Sequence, residues 1–529
     1  MRFIAVNLTH FLVELSSLEE TLALFDSLTD TPLSGIEEII PAARTLLIRF
    51  QPLQVNMHQL ATDIIHRPRV SVSQRQHQTI TIPVHYQGED LGYLADLLGI
   101  TVPQVIQCHQ ESVWKVAFTG FAPGFAYLSS PDWQWQIPRR STPRTRIPAG
   151  SVAVAGSFSG IYPQASPGGW QLLGYTEQAM WDLSRASPAL LTPGAQVQFI
   201  PHESRKTLSL PTREPIAAQV AEKETSLTIL ASGLQTLWQD QGRAGKAAMG
   251  LSASGAMDKQ ALYSANRIVG NPRDACCLEI TLGGLRIRAN KDIVIAVTGA
   301  PCPLTLTTVD GNDFLLAGYR PLNLAAGDEL ALGTPSRGLR SYLAVRGGFV
   351  VSSVLGSCSW DTLAQVGPRP LRPGDNVQAD SKSVHRAVLL DEQPAGRLPA
   401  AGETVTLDIT MGPRADWFTP ESVNQLITQC WQVTSESNRI GLRLAGAEAL
   451  VRSHTAELPS EGTCSGAIQV PASGQPVLFL RDNPVTGGYP VIAVVADYHL
   501  DLAGQIPPGT FIRFKLIQPL IELPGEHSL

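Results

Sequence analysis

The chain has 529 residues, enough for three or four domains that each bury a core of their own. Charged residues make up 16% and aromatics 6%, while 45 glycines and 39 prolines point to many turns and a β-rich structure. A net charge of −6 leaves no basic footprint for nucleic acid or a membrane surface, and no apolar run reaches membrane-spanning length.

Residues 1–75 form a first unit. Short runs at 3–6 and 11–15 read as paired strands, followed by a helix over 18–28 with Leu18, Leu22 and Phe25 on one face. Ser17 and Glu20 supply its capping box. Two more strands, 36–40 and 45–50, and a helix over 57–65 complete a small α+β sandwich. Nothing in it looks catalytic, so a scaffold or docking role is expected. Met1 to Val13 alternates and is followed by Glu14, Glu19 and Glu20, so no secretory signal is expected, and the seven cysteines are scattered without CxxC spacing. Reduced thiols in a cytoplasmic protein follow from that pattern.

Residues 76–205 read as a β-barrel with an inserted helical passage. A strand at 79–84 leads to short helices at 90–98 and 102–110, the second of which carries His109. From His109 to Thr176 the chain alternates short apolar runs with Pro/Gly turns that no helix tolerates. Those turns carry Phe121, Pro123, Gly124, Phe125, Tyr127 and Trp170, with Arg139, Arg140, Arg144 and Arg146 between them. A turn and strand at 193–199 close the unit. The same form recurs at 508–514, with a weaker echo at 326–330. Gly160-Ile161-Tyr162-Pro163 precedes the first closing strand and Gly487-Gly488-Tyr489-Pro490 the last, which suggests duplicated barrels.

A Pro-rich and charge-alternating stretch at 206–226 reads as a linker between two fused halves. Beyond it, 227–395 and 396–529 divide the second half, whose clearest local feature is a helix over 259–269 ended by Gly270-Asn271-Pro272.

No G-x-S-x-G, H-E-x-x-H or paired CxxC occurs, so serine-hydrolase and zinc chemistry are excluded and no metal site is expected. Gly242-Arg243-Ala244-Gly245-Lys246-Ala247 is similar to a phosphate loop. It lacks the first glycine, where Asp240 stands, and has Ala247 in place of the Ser/Thr that would hold magnesium. His109 titrates near neutral pH in its ordinary state and is the general acid–base candidate of the first half. The guanidinium forks of Arg139, Arg140 and Arg144 suit carboxylate or phosphate. Gly168-Gly169 and Gly487-Gly488 let backbone N–H groups approach an anion.

GFAPGFAYL, PRRSTPRTRIPAGSV and GIYPQASPGGWQLLGYT resemble the signature blocks of the 5-oxoprolinase B-subunit family, also called allophanate hydrolase subunit 1. These blocks place Gly150, Ser151, Tyr162 and Pro167 beside the residues above as substrate or nucleotide contacts. LWQDQGRAGKAAMGLSASGAMDKQALYSANRIVGN, CLEITLGG, AVTGAPC, RSYLAVRGG, SESNRIGLRL, SEGTCSGAIQVPASGQPV and NPVTGGYP resemble the 5-oxoprolinase C-subunit family, also called allophanate hydrolase subunit 2. The resemblance implies a mainly β architecture with α+β parts, one cyclophilin-like barrel in the first half and two such units in the second. It implies catalytic roles for His109, Arg140, Arg144, Asp240, Arg243, Asp258 and Glu279. It adds Ser254, Gly255, Asn438, Arg439, Gln469, Asp482, Thr486 and Tyr489 as binding positions. The chain departs from that pattern after GSCSWD, where Val366-Gly367-Pro368-Arg369-Pro370-Leu371 replaces a G-G-x-x-G-R loop, and at Val491, where a basic residue is usual.

The function implied is that of a fused B and C component of a 5-oxoprolinase, which opens 5-oxo-L-proline to L-glutamate at the expense of ATP with magnesium. A separate A subunit is then the expected partner, and a homo-oligomer is an open possibility. Two other classes share the barrels: the carboxyltransferase part of a biotin-dependent urea carboxylase system, although no biotin attachment site is present in this sequence, and a kinase-inhibitor-like binding module.

Overall fold

The computed structural model describes residues 1–67, 79–140, 142, 144–202, 225–380, 386–454 and 456–523. The expected linker at 206–226 lies outside the described residues except for Thr225 and Ser226. Ser226 already belongs to the second half, its amide donating to the Val377 carbonyl at 2.8 Å.

The first unit builds a five-stranded sheet from Arg2–Ala5, His10–Glu14, Ile36–Pro41 and Thr45–Phe50, and its fifth strand comes from the other end of the chain. Glu522–Leu523 pairs antiparallel with Phe3 and Ile4. Helix Leu18–Asp30 begins where Ser17 accepts from the Glu20 amide and the Glu20 carboxylate accepts from the Ser16 amide. With helix Met57–Ile65 it buries Leu24, Leu28, Leu60 and Ile64 against Phe3, Phe11 and Ile48.

A seven-stranded sheet follows, with Thr79–Val84 and Gln196–Pro201 running parallel at one edge. It curls until His85 bridges Tyr175 on the far edge strand, Gln171–Tyr175. Helices Leu91–Leu98 and Val102–Glu111 close one end over Val105, Trp114, Val116 and Phe199.

In the second half a six-stranded and a five-stranded sheet share one apolar core, with helix Lys259–Val269 packed outside it. The turn at 326–330 opens an interior strand, Glu329–Leu332, rather than a closing one. The last unit is a closed seven-stranded barrel in which Thr404–Met411 and Phe511–Gln518 again run parallel. The duplication extends to one hydrogen bond. Trp114 and Trp431 each start a strand after a helix and each donate Nε1 to a carbonyl five residues back, on His109 and Leu426, at 2.9 and 3.0 Å. Among the described residues no single helix is long and apolar enough to cross a membrane.

Candidate active site between two barrel mouths

Local chain geometry places the mouth of the first barrel against the second half. Phe121 holds a left-handed φ of 64°, which swings the 120–124 turn outward. Thr119 donates its hydroxyl to the Ala248 carbonyl at 2.8 Å, and the Gly124 amide donates to Met249 at 3.1 Å. Gly120 meets the last barrel so closely that a Cβ there would sit 1.8 Å from Thr486 Oγ1. From the other side of the mouth, Gln164 donates to the Leu363 carbonyl at 3.2 Å. Pro123 is buried within this turn. The seam therefore joins the first barrel, the middle unit and the last barrel.

Its wall is aromatic. Phe125 lies at 5.0–5.4 Å, edge to face, from Phe121, Tyr127, Tyr162 and Trp170. The Tyr127 hydroxyl has Ser460 and Thr486 of the last barrel as polar neighbours, and burial pushes its pKa up. Gly150 and Ser151 tie the Tyr162 strand down through hydrogen bonds of 2.7 and 2.9 Å. Gly168 cannot carry a side chain, since a Cβ would lie 2.5 Å from the Tyr162 hydroxyl, and Pro167 beside it is exposed.

Gly169 and Gly488 are different. Neither has a positive φ, and a Cβ on either would meet nothing closer than 3.6 Å. Neither backbone conformation nor a clash demands glycine there; a Cβ would make only ordinary contact, with Arg139 and Arg140 at Gly169 and with the Leu458 carbonyl at Gly488. Gly487 pairs within the short Thr486–Gly487 strand beside half-buried Gln469. Exposed Tyr489 lies under the Arg452 guanidinium at 5.7 Å. Arg139, 45% exposed, reaches across the seam to Glu457 at 3.9 Å.

Arg140 and Arg144, expected to hold a bound anion, instead pair with a carboxylate of the chain itself. Both close on Asp90, the residue that precedes helix Leu91–Leu98. Arg144 makes a two-pronged contact at 3.0 and 2.9 Å, Arg140 adds one at 2.9 Å, and the Leu172 amide donates to the same carboxylate at 2.7 Å. Burial pushes Asp90 up, and Arg144 with the Leu172 amide and Arg140 outweighs it, leaving the carboxyl below its ordinary range. The forks do bind a carboxylate, but one supplied by the chain itself. Asp90 lies 50 and 54 residues from these arginines and carried no sequence signal.

His109 also departs from the role expected for it. It is fully buried between Phe199 and Trp114, with Nδ1 at 2.9 Å from the Tyr86 hydroxyl and Nε2 at 2.9 Å from Ser159 Oγ. Burial holds its pKa down to about 3, so the ring is neutral at pH 7 and has the surroundings of a core residue.

Beneath the seam, the remaining matched residues meet in a buried polar network. Arg439, 1% exposed at its side chain, donates Nε and Nη2 to Asp482 at 2.9 and 3.0 Å, Nη1 to Glu279, and Nη2 to the Gly255 carbonyl at 2.7 Å. Glu279 also accepts from the Met257 amide and the Tyr342 hydroxyl. Ser254, strained at φ 54°, donates to Asp482 at 2.6 Å. Asp258 caps helix Lys259–Val269 through the Ala261 amide and accepts from Gln505; burial pushes it up to about 6. Asn438 is exposed and shapes a turn, accepting from the Ile440 amide.

Asp240 fixes the 357–359 loop, accepting from Ser357, Ser359 and the Cys358 amide at 2.6–2.7 Å. Arg243 is 2% exposed and donates Nη2 to the Ser359 carbonyl, while Nε and Nη1 have no partner. A buried guanidinium with two unpartnered donors is uncommon, because buried polar groups are ordinarily hydrogen-bonded.

Sequence reasoning missed Asp361 and Thr362. Thr362 donates its amide and hydroxyl to Asp482 at 2.9 and 2.8 Å. Burial and the Asp482 charge push Asp361 up to about 7. The W-D pair after Ser359 was visible in the sequence, but nothing local linked it to Asp482. At the two departures from the family pattern, Arg369 is spent on Asp375 at 2.7 and 2.8 Å, and Val491 is buried in a core strand.

Residues 1–191 match the family model described as carboxyltransferase domain, subdomain C and D, and residues 249–516 match carboxyltransferase domain, subdomain A and B. Over 291 residues the chain is 38% identical to the 5-oxoprolinase C subunit of Escherichia coli K12, covering 54% of this chain and 90% of that one. Over 156 residues it is 44% identical to the 5-oxoprolinase B subunit of Haemophilus influenzae, covering 29% and 70%. Urea amidolyase of Saccharomyces cerevisiae is 34% identical over 308 residues, covering 55% of this chain and 16% of that one. The crystal structure of TTHA0988 superposes with a TM-score of 0.82 at 32% identity, covering 96% of this chain and 99% of the other.

Proposed function

The chain belongs to the carboxyltransferase-domain family, with subdomains C and D ahead of A and B, and from that premise we propose that it is the fused B and C component of an ATP-dependent 5-oxoprolinase. With a separate A subunit it opens 5-oxo-L-proline to L-glutamate. The observation that carries this reading is the seam itself, where the aromatic wall of a B-like mouth meets a C-like barrel at Ser460 and Thr486.

A five-membered lactam resists water. Transfer of the γ-phosphoryl group of ATP to the lactam oxygen, with release of ADP, gives the ring carbon a leaving group. Water then adds at that carbon, the ring C–N bond breaks and the nitrogen takes a proton, leaving an acyl phosphate on the opened chain; a second water hydrolyses that acyl phosphate to L-glutamate and phosphate. The chain's own task is to hold the developing anion and exclude bulk water. Arg139 and the main chain at Gly169 and Gly488 bind the anion, and the Phe121–Trp170 wall shields the ring. Asp240, Arg243, Asp258, Glu279, Arg439 and Asp482 act below as positioning residues.

The likeness to urea amidolyase favours a second reading, in which the same seam passes a carboxyl group between a biotin carried by another chain and urea. One experiment separates them. The purified chain is mixed with the A subunit and assayed for ADP and glutamate release with 5-oxo-L-proline, then with urea and a biotinylated partner. The first reading expects turnover of 5-oxo-L-proline in the full mixture and none from the chain alone. Turnover of urea in its place overturns it.

A further inference from the structure

A cavity of about 580 Å³ opens on the middle unit, with Asp258 of the buried network among its lining residues. That volume lies in the range of small-molecule sites. Val297, Ala300, Pro301, Leu304, Leu316 and Ala317 give it an apolar wall. At its charged end, helix Lys259–Val269 presents Ser264 and Arg267 one turn apart on the same face.

These two side chains already hold a carboxylate. Arg267 donates Nε and Nη2 to Glu392 at 3.1 and 2.6 Å, and Ser264 Oγ donates to the same carboxylate at 3.0 Å. Arg267 also donates to Ser264 at 2.9 Å, so the pair is fixed as a unit. This is the two-pronged geometry of carboxylate recognition.

Glu392 comes from the strap that joins the two units of the second half. Main-chain bonds anchor the strap on both sides, from Leu389 to Ile268 at 3.0 Å and from Gly338 to Pro399 at 2.8 Å. From Leu390 to Arg397 every residue except Glu392 is exposed. Glu392 thus latches an otherwise solvated strap across the cavity's charged end. A latch so placed competes with any ligand that carries the same group.

We propose that this cavity binds a small organic carboxylate with a compact apolar body, whose carboxylate takes the Arg267–Ser264 fork in exchange for Glu392. The apolar wall receives the body of the ligand and the strap opens by release of one side chain. Binding here requires neither ATP nor an A subunit, so it is tested separately from turnover at the seam.

The test is calorimetric titration of the full chain with cyclopentanecarboxylate, with 5-oxo-L-proline, and with 2-pyrrolidinone as the ring without a carboxylate. The acids should bind and 2-pyrrolidinone should not. Glu392→Ala removes the internal competitor and should tighten acid binding by about tenfold or more. Arg267→Gln should abolish it. Absence of acid binding to both the wild type and Glu392→Ala overturns the proposal. So does acid binding that neither substitution changes, which would place the ligand elsewhere. If Arg267→Gln fails to fold, the Glu392→Ala comparison decides alone.

Discussion

Arg439→Met tests the polar network beneath the seam. The methionine keeps an unbranched apolar stem but removes the guanidinium from two buried carboxylates, Asp482 and Glu279, each 0% exposed at its side chain. Breaking a buried pair by removing one partner costs about 3–5 kcal/mol, because a charge is left uncompensated. The chain has several units, so the midpoint of urea unfolding is the quantity to compare rather than a single free energy. With a slope of about 3 kcal/mol per molar, the tryptophan-fluorescence transition of the second half should move down by roughly 1 M at pH 7.5. The sign of the pH dependence follows from Asp482. Burial alone would raise its pKa; Arg439 overrides that and holds it below the ordinary carboxylate range. In the wild type this contribution is present above the unfolded pKa of about 3.9 and is lost as pH falls through the lower folded value. In the variant the carboxyl titrates above its ordinary range, so the penalty is greatest at neutral pH and is relieved on acidification. The gap between the two proteins should therefore narrow between pH 7.5 and pH 5. An unchanged midpoint at pH 7.5, or a gap of constant width, refutes the argument.

Two further outcomes are expected. Arg144→Lys keeps the charge and loses the fork on Asp90, which should cost the first half about 1.5–3 kcal/mol and leave turnover of the reconstituted enzyme within twofold; a hundredfold fall in turnover with unchanged unfolding would return Arg144 to the seam. Gly120→Ala drives a Cβ into Thr486 and should prise the halves apart, so that separately expressed halves no longer copurify, and a second change, Thr486→Gly, should restore their association.

The elements written in local pattern were legible. Ser17 with Glu20 announced a helix start, Gly270-Asn271-Pro272 a helix end, and the two closing turns a pair of related barrels. What the sequence hid depends on long-range pairing. Strand Glu522–Leu523 adds to the sheet of Phe3 because the barrel delivers it there, and no property of Glu522 foretells it. The arginines between Pro138 and Ile147 were readable as carboxylate binders, but their partner Asp90 was not, so a structural clamp looked like a ligand site. His109 misled for a similar reason. Its chemistry is apt for catalysis, and only the packing of Phe199, Tyr86 and Ser159 around it shows that the ring stays neutral and enclosed. Asn438 shared the motif of Arg439 and yet turns outward.

The comparison of the first and last barrels bears on where chemistry can lie. Each uses the same tryptophan lock, and at the carbonyl that accepts it one has His109 and the other Leu426. A position that exchanges histidine for leucine inside otherwise matching architecture is filling a core, so neither barrel interior is a reaction chamber. Both interiors are in fact packed with apolar side chains. The reactive possibilities are thereby pushed to the mouths, and the mouths are completed by one another. Tyr127 finds Ser460 and Thr486 across the seam, Arg139 finds Glu457, and Gln164 finds Leu363. Each of these contacts joins residues from opposite sides of the linker, so covalent fusion would fix both the stoichiometry and the register on which the site depends. The first unit contributes to the same end. Arg414 of the last barrel is held by Glu14 at 2.9 Å as well as by Glu461, and Gly462 lies so near Leu47 that a Cβ there would sit 2.6 Å away. These contacts of the first unit reach the strand Glu461–Gly462, whose partner strand is Thr486–Gly487 at the edge of the seam.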